Sequence, residues 1–292
     1  MRLPTWTTAA MRSTRTKLHP RLLALDVDGT LTWPGVGPDS DVIRSLGGVA
    51  ARGVTVVVAT GRGTNATREI TRALPAGAYA ILNNGGIVRR VRDGQVLRAR
   101  HMTHAAAAAV LGVYRDCGMS GIWVESPFAG ERYLCDGAWW TYAPTRLYLS
   151  TKLPIIRPMP ATAVAAPAVE VFAFGDREAV AGAERRINDE LGNAVSTVSW
   201  WSERLGAGGL ESLPAGGTKG EAVAWLAGEL GIDAAEVVAV GDDRNDIEML
   251  QWAGRGVAMS HAPLDVQVAA DEVATIEGPP AVRQVMRDVW GV

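Results

Sequence analysis

Five short apolar runs, each stopping abruptly at a polar segment, constrain this chain more than any other feature. They are Leu22–Leu25, Val54–Ala59, Tyr79–Leu82, Val237–Val240 and Val257–Met259. Continuous rather than alternating hydrophobicity marks strands covered on both faces, the habit of parallel sheets. Helices are expected between or beside them, at Ser40–Arg52, Asn65–Leu74, Gly220–Leu230 and Asp246–Ala253. Strands and helices alternating at this spacing predict a doubly wound α/β sheet.

The middle of the chain reads differently. Ile87–Arg92 and Gln95–Arg100 flank Asp93-Gly94, the pattern of a hairpin with a two-residue turn. A helix is expected from Thr103 to about Asp116, followed by Ile122–Glu125, a Trp139-Trp140 segment and Val169–Phe174. A helix at Arg177–Leu191 and a strand at Ala194–Trp201 complete the region, and Pro154–Pro167 crosses it as an irregular stretch. Hairpins mixed with helices predict an α+β module with a largely antiparallel sheet. The expected organisation is a catalytic core at 21–85 and 213–292, a cap inserted at 86–212, and a basic leader at 1–20.

Charge excludes some partners. The chain has a net charge of −2, so nothing global points to nucleic acid or an anionic membrane. Residues 1–21 hold Arg2, Arg12, Arg15, Lys17 and Arg21 and no acid, leaving 24 basic against 31 acidic side chains in the remainder. The leader has no clear amphipathic repeat, so it reads as a frayed extension, or as lying before a start at Met11, rather than as a transit peptide. No segment approaches the ~20 apolar residues that span a bilayer. Cys117 and Cys135 show neither metal spacing nor a disulfide framework and read as free thiols of a cytoplasmic protein.

The strand ends carry the chemistry. Ligands of open α/β sheets bind outside the carboxyl ends of the strands. The first run passes into Asp26-Val27-Asp28-Gly29-Thr30, the second into Thr60-Gly61-Arg62, the third into Asn83-Asn84-Gly85-Gly86, and the fourth into Gly241-Asp242-Asp243-Arg244-Asn245-Asp246. Any one of these alone is an ordinary turn, since Asp and Gly favour turns. Together they bring acids to one edge, where they repel unless a cation neutralises them. Oxygen-only ligands imply a hard cation, and a site keeping waters and a phosphate suits Mg²⁺.

The run Asp26-Val27-Asp28-Gly29-Thr30-Leu31 resembles the first motif of the haloacid dehalogenase superfamily. Thr60 resembles its second motif, Lys219 in Gly217-Thr218-Lys219-Gly220 its third, and Gly241–Asp246 its fourth. The gap of 159 residues between Thr60 and Lys219, against 34 between Asp26 and Thr60, places a large cap as in the Cof-type branch. Asn84-Gly85 and Gly256–Met259 also resemble that branch. The resemblance implies a Rossmann-like (HAD-like) core with an inserted α+β cap. It further implies a Mg²⁺-dependent phosphatase of small phosphorylated metabolites, sugar phosphates first, acting as a monomer or homodimer.

The roles follow from the same resemblance. Asp26 would be the nucleophile and form an aspartyl-phosphate, and Asp28 the general acid and base. The Asp28 carbonyl, Asp26 and Asp242 would hold Mg²⁺, with Asp246 supporting it directly or through water. Thr60 would donate to a phosphoryl oxygen, with Gly61, Asn84, Gly85 and Asn245 beside the phosphate. Lys219 would balance the charge on Asp26 and the phosphoryl group. This chemistry has a reason: two unit charges ~4 Å apart repel by ~4 kcal/mol at a dielectric of ~20, so a carboxylate attacks a phosphate only where cations compensate. A phosphomutase and a catalytically idle phospho-ligand binder remain as rival readings.

Other signals are weaker. Trp123, Trp139, Trp140, Trp200 and Trp201 lie in the expected cap, where filling its core is the simpler reading and stacking on a substrate the alternative. Trp33 follows the first motif closely enough to meet substrate or cap. Arg62 reads as part of a loop, with substrate contact as the alternative. Ser260-His261 stands where the family usually has Gly-Asn.

Overall fold

The computed structural model describes residues 19–33, 37–160 and 166–292, so most of the expected leader lies outside the described residues. The chain begins with β1 (Leu22–Asp26), α1 (Ser40–Ala51), β2 (Thr55–Ala59), α2 (Arg68–Ala73) and β3 (Tyr79–Leu82). The hairpin β4 (Ile87–Arg90) and β5 (Val96–Ala99) follows. Next come α3 (His104–Asp116), β6 (Ile122–Glu125), β7 (Tyr133–Cys135), α4 (Ala143–Leu149), β8 (Ile156–Pro158), β9 (Ala168–Gly175), α5 (Arg177–Leu191), β10 (Val195–Ser202) and β11 (Ala207–Pro214). The chain closes with α6 (Lys219–Glu229), β12 (Val237–Gly241), α7 (Ile247–Trp252), β13 (Arg255–Ala258), α8 (Leu264–Ala269), β14 (Glu272–Val273) and α9 (Pro279–Trp290).

Among the described residues the strands form two sheets. The larger has the order β14-β13-β12-β1-β2-β3-β4-β5, parallel from β14 through β3 and antiparallel in its last two strands. Period-two alternation divides its side chains between two cores. Leu23, Leu25, Val56, Val58, Val238 and Val240 face α1 and α9 through Val42, Leu46, Val282 and Met286. Leu22, Ala24, Val57, Ala59 and Ala239 face α6 and α7 through Val223, Leu226, Met249 and Leu250. All five residues of β1 are buried. Each such Leu or Val contributes about 1.5–3 kcal/mol, which makes β1 the rigid centre of the sheet.

Connectivity turns around β1. The chain leaves it toward β2 and β3 on one side and returns to its other side through β12. The carboxyl end of β1 is therefore the switch point of the sheet, the place where open α/β folds bind ligands. Asp26 is its last residue.

The second sheet has the order β10-β11-β9-β6-β7-β8 and is antiparallel apart from β7 with β8. Its outer face carries α3 and α5, packed through Ala107, Val110, Tyr114, Ala183 and Ile187 on Val171, Ala173 and Leu210. Phe172, Phe174, Tyr133 and Ile122, on its other face, join the core beside the catalytic edge of the first sheet.

Two expectations need correction. The hairpin Ile87–Ala99, assigned by sequence to the cap, is the edge of the first sheet, pairing through β4 with β3. Its turn is also longer than two residues: Arg90 N–H donates to the Gln95 carbonyl at 2.9 Å, and the register shifts at Val88/Arg89. The other correction is β11. No strand was expected at 207–214, and the boundary at 212/213 cuts through it. Gly208 and Gly209 weaken the strand pattern there. They pair with Trp201 and Trp200 of β10, and a Cβ on Gly209 would lie 2.4 Å from the Trp200 ring. The glycines make room for the indoles, which cover them across the ladder.

Candidate active site

Local rules shape each strand end. After β1 the chain turns at once: Gly29 N–H donates to the Thr32 carbonyl and Thr32 N–H to the Val27 carbonyl, both at 2.8 Å. Gly29 has φ +92°, and a Cβ there would lie 2.2 Å from Oδ2 of Asp242. Only glycine permits this approach of the first acidic loop to the second. After β12, both backbone N–H groups of Asp242 and Asp243 donate to Oδ2 of Asp246, at 3.0 and 3.1 Å. At the start of α6, Thr218 accepts from Glu221 N–H as an N-cap, so Lys219 occupies the first helical position and points to the sheet edge.

The four ends converge. Lys219 Nζ donates to Oδ1 of Asp26 at 2.6 Å, to Oδ1 of Asp246 at 2.7 Å and to Oδ1 of Asn245 at 3.2 Å. Lys219, Asp26 and Asp246 are 2%, 3% and 0% exposed, so this ion triad is dry and carries one net negative charge. Burial pushes the Asp26 carboxyl well above the ordinary value; Lys219 opposes that, while Asp246 and Asp242 add to it. Burial alone would push the Lys219 ammonium down, but Asp246 and Asp26 outweigh it and hold it protonated. Burial also raises Asp242, against the hydrogen bond of 2.7 Å from the Thr30 hydroxyl.

Asp26 Oδ2 is buried and has no hydrogen-bond partner. Asp26, Asp242 and Asp246 each offer one oxygen within 4.8 Å of the others. An orphaned carboxylate oxygen beside an oxygen-only donor set fits a hard divalent cation. Both oxygens of Asp246 are already spent on Lys219 and the backbone, so its visible work is to anchor that lysine and loop. Asp28 stands apart: its carboxylate is forked by Arg62 through Nε at 2.8 Å and through Nη2.

A cavity of about 720 Å³ lies between the two sheets. Asp26, Asp28, Thr60, Gly61, Asn84, Lys219 and Asn245 line its floor, and Tyr148, Lys152, Trp200, Trp201 and Glu211 its cap side. The expected site residues thus meet, with three qualifications. Gly85 is outside the lining; a Cβ there would lie 2.1 Å from the Thr218 carbonyl, so it brings the third strand end against α6. Asn84 has its amide committed, donating to Glu211 and accepting from Asn245 at 2.9 Å. Asp242 and Asp246 stand beside Asp26 but are not among the residues that line the cavity.

Sequence reading missed Glu211 and Tyr148; Arg62, expected as a loop residue with substrate contact as the alternative, lines the cavity. Glu211 carried no signal, because its strand was not recognised. Of the tryptophans, Trp123 fills the cap core as the simpler reading has it, while Trp200 and Trp201 line the cavity. Trp33 packs on Gly278 and on His261, ring centroids 5.0 Å apart. His261 Nε2 is 3.6 Å from Oδ2 of Asp242, beyond hydrogen-bond reach, and neither of its buried ring nitrogens has a hydrogen-bond partner.

Fold and site together define a capped α/β phosphoester hydrolase. The chain belongs to the haloacid dehalogenase-like hydrolases, whose family model matches residues 23–285. It is 31% identical over 252 residues to an HMP-PP phosphatase of Enterobacter sp. (strain 638), covering 83% of this chain and 85% of that one. A second HMP-PP phosphatase, from Citrobacter koseri, is 28% identical over 250 residues, with the same coverage of 83% and 85%. Among solved structures, a phosphatase of this superfamily from Bacteroides thetaiotaomicron superposes with a TM-score of 0.75 at 23% identity, covering 97% of this chain and 100% of that one. Among the described residues, no helix is long and apolar enough to cross a membrane.

Proposed function

We propose that this chain is a Mg²⁺-dependent phosphatase of small phosphomonoesters, working in the cytoplasm through an aspartyl-phosphate on Asp26. The observation that carries the reading is the division of labour within the Asp26 carboxylate. Oδ1 is held by Lys219, while Oδ2 is buried, unbonded and part of a residue on the cavity floor. A structural carboxylate has both oxygens satisfied; a nucleophile or metal ligand does not.

In the first half-reaction an Asp26 oxygen bonds to phosphorus, the ester P–O bond breaks, and the leaving oxygen takes a proton from Asp28. In the second, Asp28 takes a proton from water, the water oxygen bonds to phosphorus, and the Asp26–phosphorus bond breaks to free phosphate. Arg62 forks the Asp28 carboxylate at the cavity wall, a contact that must open for Asp28 to give a proton to the leaving oxygen. Thr60, whose hydroxyl accepts from Arg62 N–H at 3.1 Å, keeps its proton for a phosphoryl oxygen. Asp26, Asp242 and the Asp28 carbonyl would hold Mg²⁺, with Asp246 behind them; bound there, it supplies positive charge to offset phosphate and carboxylate repulsion.

The test is phosphate release from a panel of sugar phosphates, nucleotides and HMP-PP, with Mg²⁺ and with excess EDTA. HMP-PP enters first among them because two relatives carry its name. Metal-dependent release from a few related esters is the expected result. Folded protein that binds Mg²⁺ but releases phosphate from none would instead leave a mutase or a binding protein.

Gly29→Ala offers a separate check on the metal set. The added methyl collides with Asp242 at a φ that alanine rarely adopts, so Asp242 must move. Mg²⁺ affinity is expected to fall about tenfold or more, the scale seen when a metal site loses a supporting contact. Titration of Mg²⁺ by calorimetry measures it, and unaltered affinity would remove Asp242 from the metal set.

A further inference from the structure

The turn Asn83-Asn84-Gly85 has a left-handed backbone, a region that glycine and asparagine enter more readily than other residues, and the cap fastens it. Asn83, Asn84 and Gly85 have φ of +49°, +53° and +114° in succession. Two successive non-glycine residues in the left-handed region are uncommon even for asparagine, and contacts to the side chains help to hold them. Here each asparagine amide donates to a glutamate from a different cap strand: Asn83 to Glu170 of β9 at 2.7 Å, and Asn84 to Glu211 of β11. The backbone of the same turn reaches the second motif, with Asn84 N–H donating to the Thr60 carbonyl at 3.0 Å.

From Asn84 the bonds continue into the reaction centre. Its Oδ1 accepts from Asn245 Nδ2 at 2.9 Å, and Asn245 Oδ1 accepts from Lys219 Nζ at 3.2 Å. The polarity of this chain is fixed. Lys219 has only protons to give, so each amide must accept on the lysine side and donate on the other. The chain must therefore end on an oxygen that accepts. Glu211 supplies it, and its other oxygen accepts from Trp200 Nε1 at 2.8 Å. An ammonium at one end and a carboxylate at the other polarise every bond between them.

We infer that Glu211 is a positioning residue: the seated cap, through Asn84 and Asn245, holds Lys219 in register on Asp26. The inference rests on the reading of Asp26 and Lys219 as the phosphoryl-transfer pair. It makes cap seating a condition for full catalytic power even with substrates too small to fill the cap. Glu170 provides a matched control. It is a buried cap glutamate on the neighbouring asparagine, but Asn83 makes no bond toward Lys219.

The experiment is a double-mutant cycle of Glu211→Gln and Asn245→Ala, with Glu170→Gln beside it, read by kcat and KM for p-nitrophenyl phosphate and by thermal unfolding. A glutamine at 211 can accept from Asn84 or from Trp200 but not both, so the chain slackens while the volume is kept. Each single change in the cycle is expected to lower kcat about tenfold with KM nearly unmoved, and the double variant to be no slower than the worse single. Glu170→Gln is expected to shift Tm comparably and leave kcat in place. Multiplying effects, near hundredfold in the double, would overturn the inference, as would a loss of kcat in Glu170→Gln equal to that in Glu211→Gln. Failure of the phosphatase reading looks different: the parent releases no phosphate, while coupling of the two positions in Tm still reports whether the chain of bonds exists. Additive Tm shifts in that case overturn the chain itself.

Discussion

Asp26→Asn is expected to cut phosphate release by about 10⁴-fold or more, the scale of losing a nucleophile, while the protein becomes more stable. The two effects share one cause. Asparagine keeps the shape of the side chain and still accepts from Lys219, but it cannot form the acyl phosphate. It also removes a charge that burial disfavours and that Asp246 and Asp242 repel. The remaining Lys219–Asp246 pair, at 2.7 Å, is neutral as a unit where the triad carried one negative charge. A gain of about 1 kcal/mol corresponds to a Tm rise of about 2–4 °C in a chain of this size. Purified variant with near-normal turnover would end the covalent mechanism, and a clear fall in Tm would end the charge accounting.

Such opposition between stability and activity locates what was legible in the sequence. Asp26, Thr60 and Asp242 stand out because a continuous apolar run passes into a polar segment at each. Lys219 is legible only through the motif it resembles, since its helix was expected from Gly220 and begins one residue earlier. What the sequence conceals is pairing between segments far apart in the chain. The hairpin Ile87–Ala99 has the pattern of any antiparallel pair, and nothing in it says that its partner is β3. The strand β11 hides because Gly208 and Gly209 are read by local propensity, whereas their reason is the indoles of Trp201 and Trp200 across the ladder. Arg62 and Asp28 lie 34 positions apart, Asn84 and Glu211 lie 127 apart, and Lys219 and Asp26 lie 193 apart. Only the last of these was anticipated, and only because the motif pattern supplied it.

Lys219→Met is expected to act in the opposite direction from Asp26→Asn on stability and in the same direction on activity. Methionine fills the volume but leaves Asp26 and Asp246, 3% and 0% exposed, without a cation. Breaking a buried ion pair by removing one partner costs about 3–5 kcal/mol. That is a Tm fall of roughly 10 °C at neutral pH. The deficit should depend on pH with a definite sign. Burial already raises the Asp26 carboxyl above its ordinary 3.8 while Lys219 lowers it, so removing the lysine raises it further. Where the folded pKa exceeds the unfolded one, the folded state binds the extra proton as pH falls through that interval, and stability rises with it. The gap in Tm between parent and variant should therefore be full near pH 8 and narrow steadily toward pH 5. Added Mg²⁺ should narrow it at pH 8 as well, because a divalent cation among the same carboxylates replaces the missing charge. Adding Asp26→Asn to Lys219→Met should recover part of the lost stability at pH 8, since only Asp246 then stays buried as an unpaired charge. A deficit independent of pH, or no recovery in the double variant, would mean that Lys219 stabilises by packing its carbon chain rather than by balancing the acids.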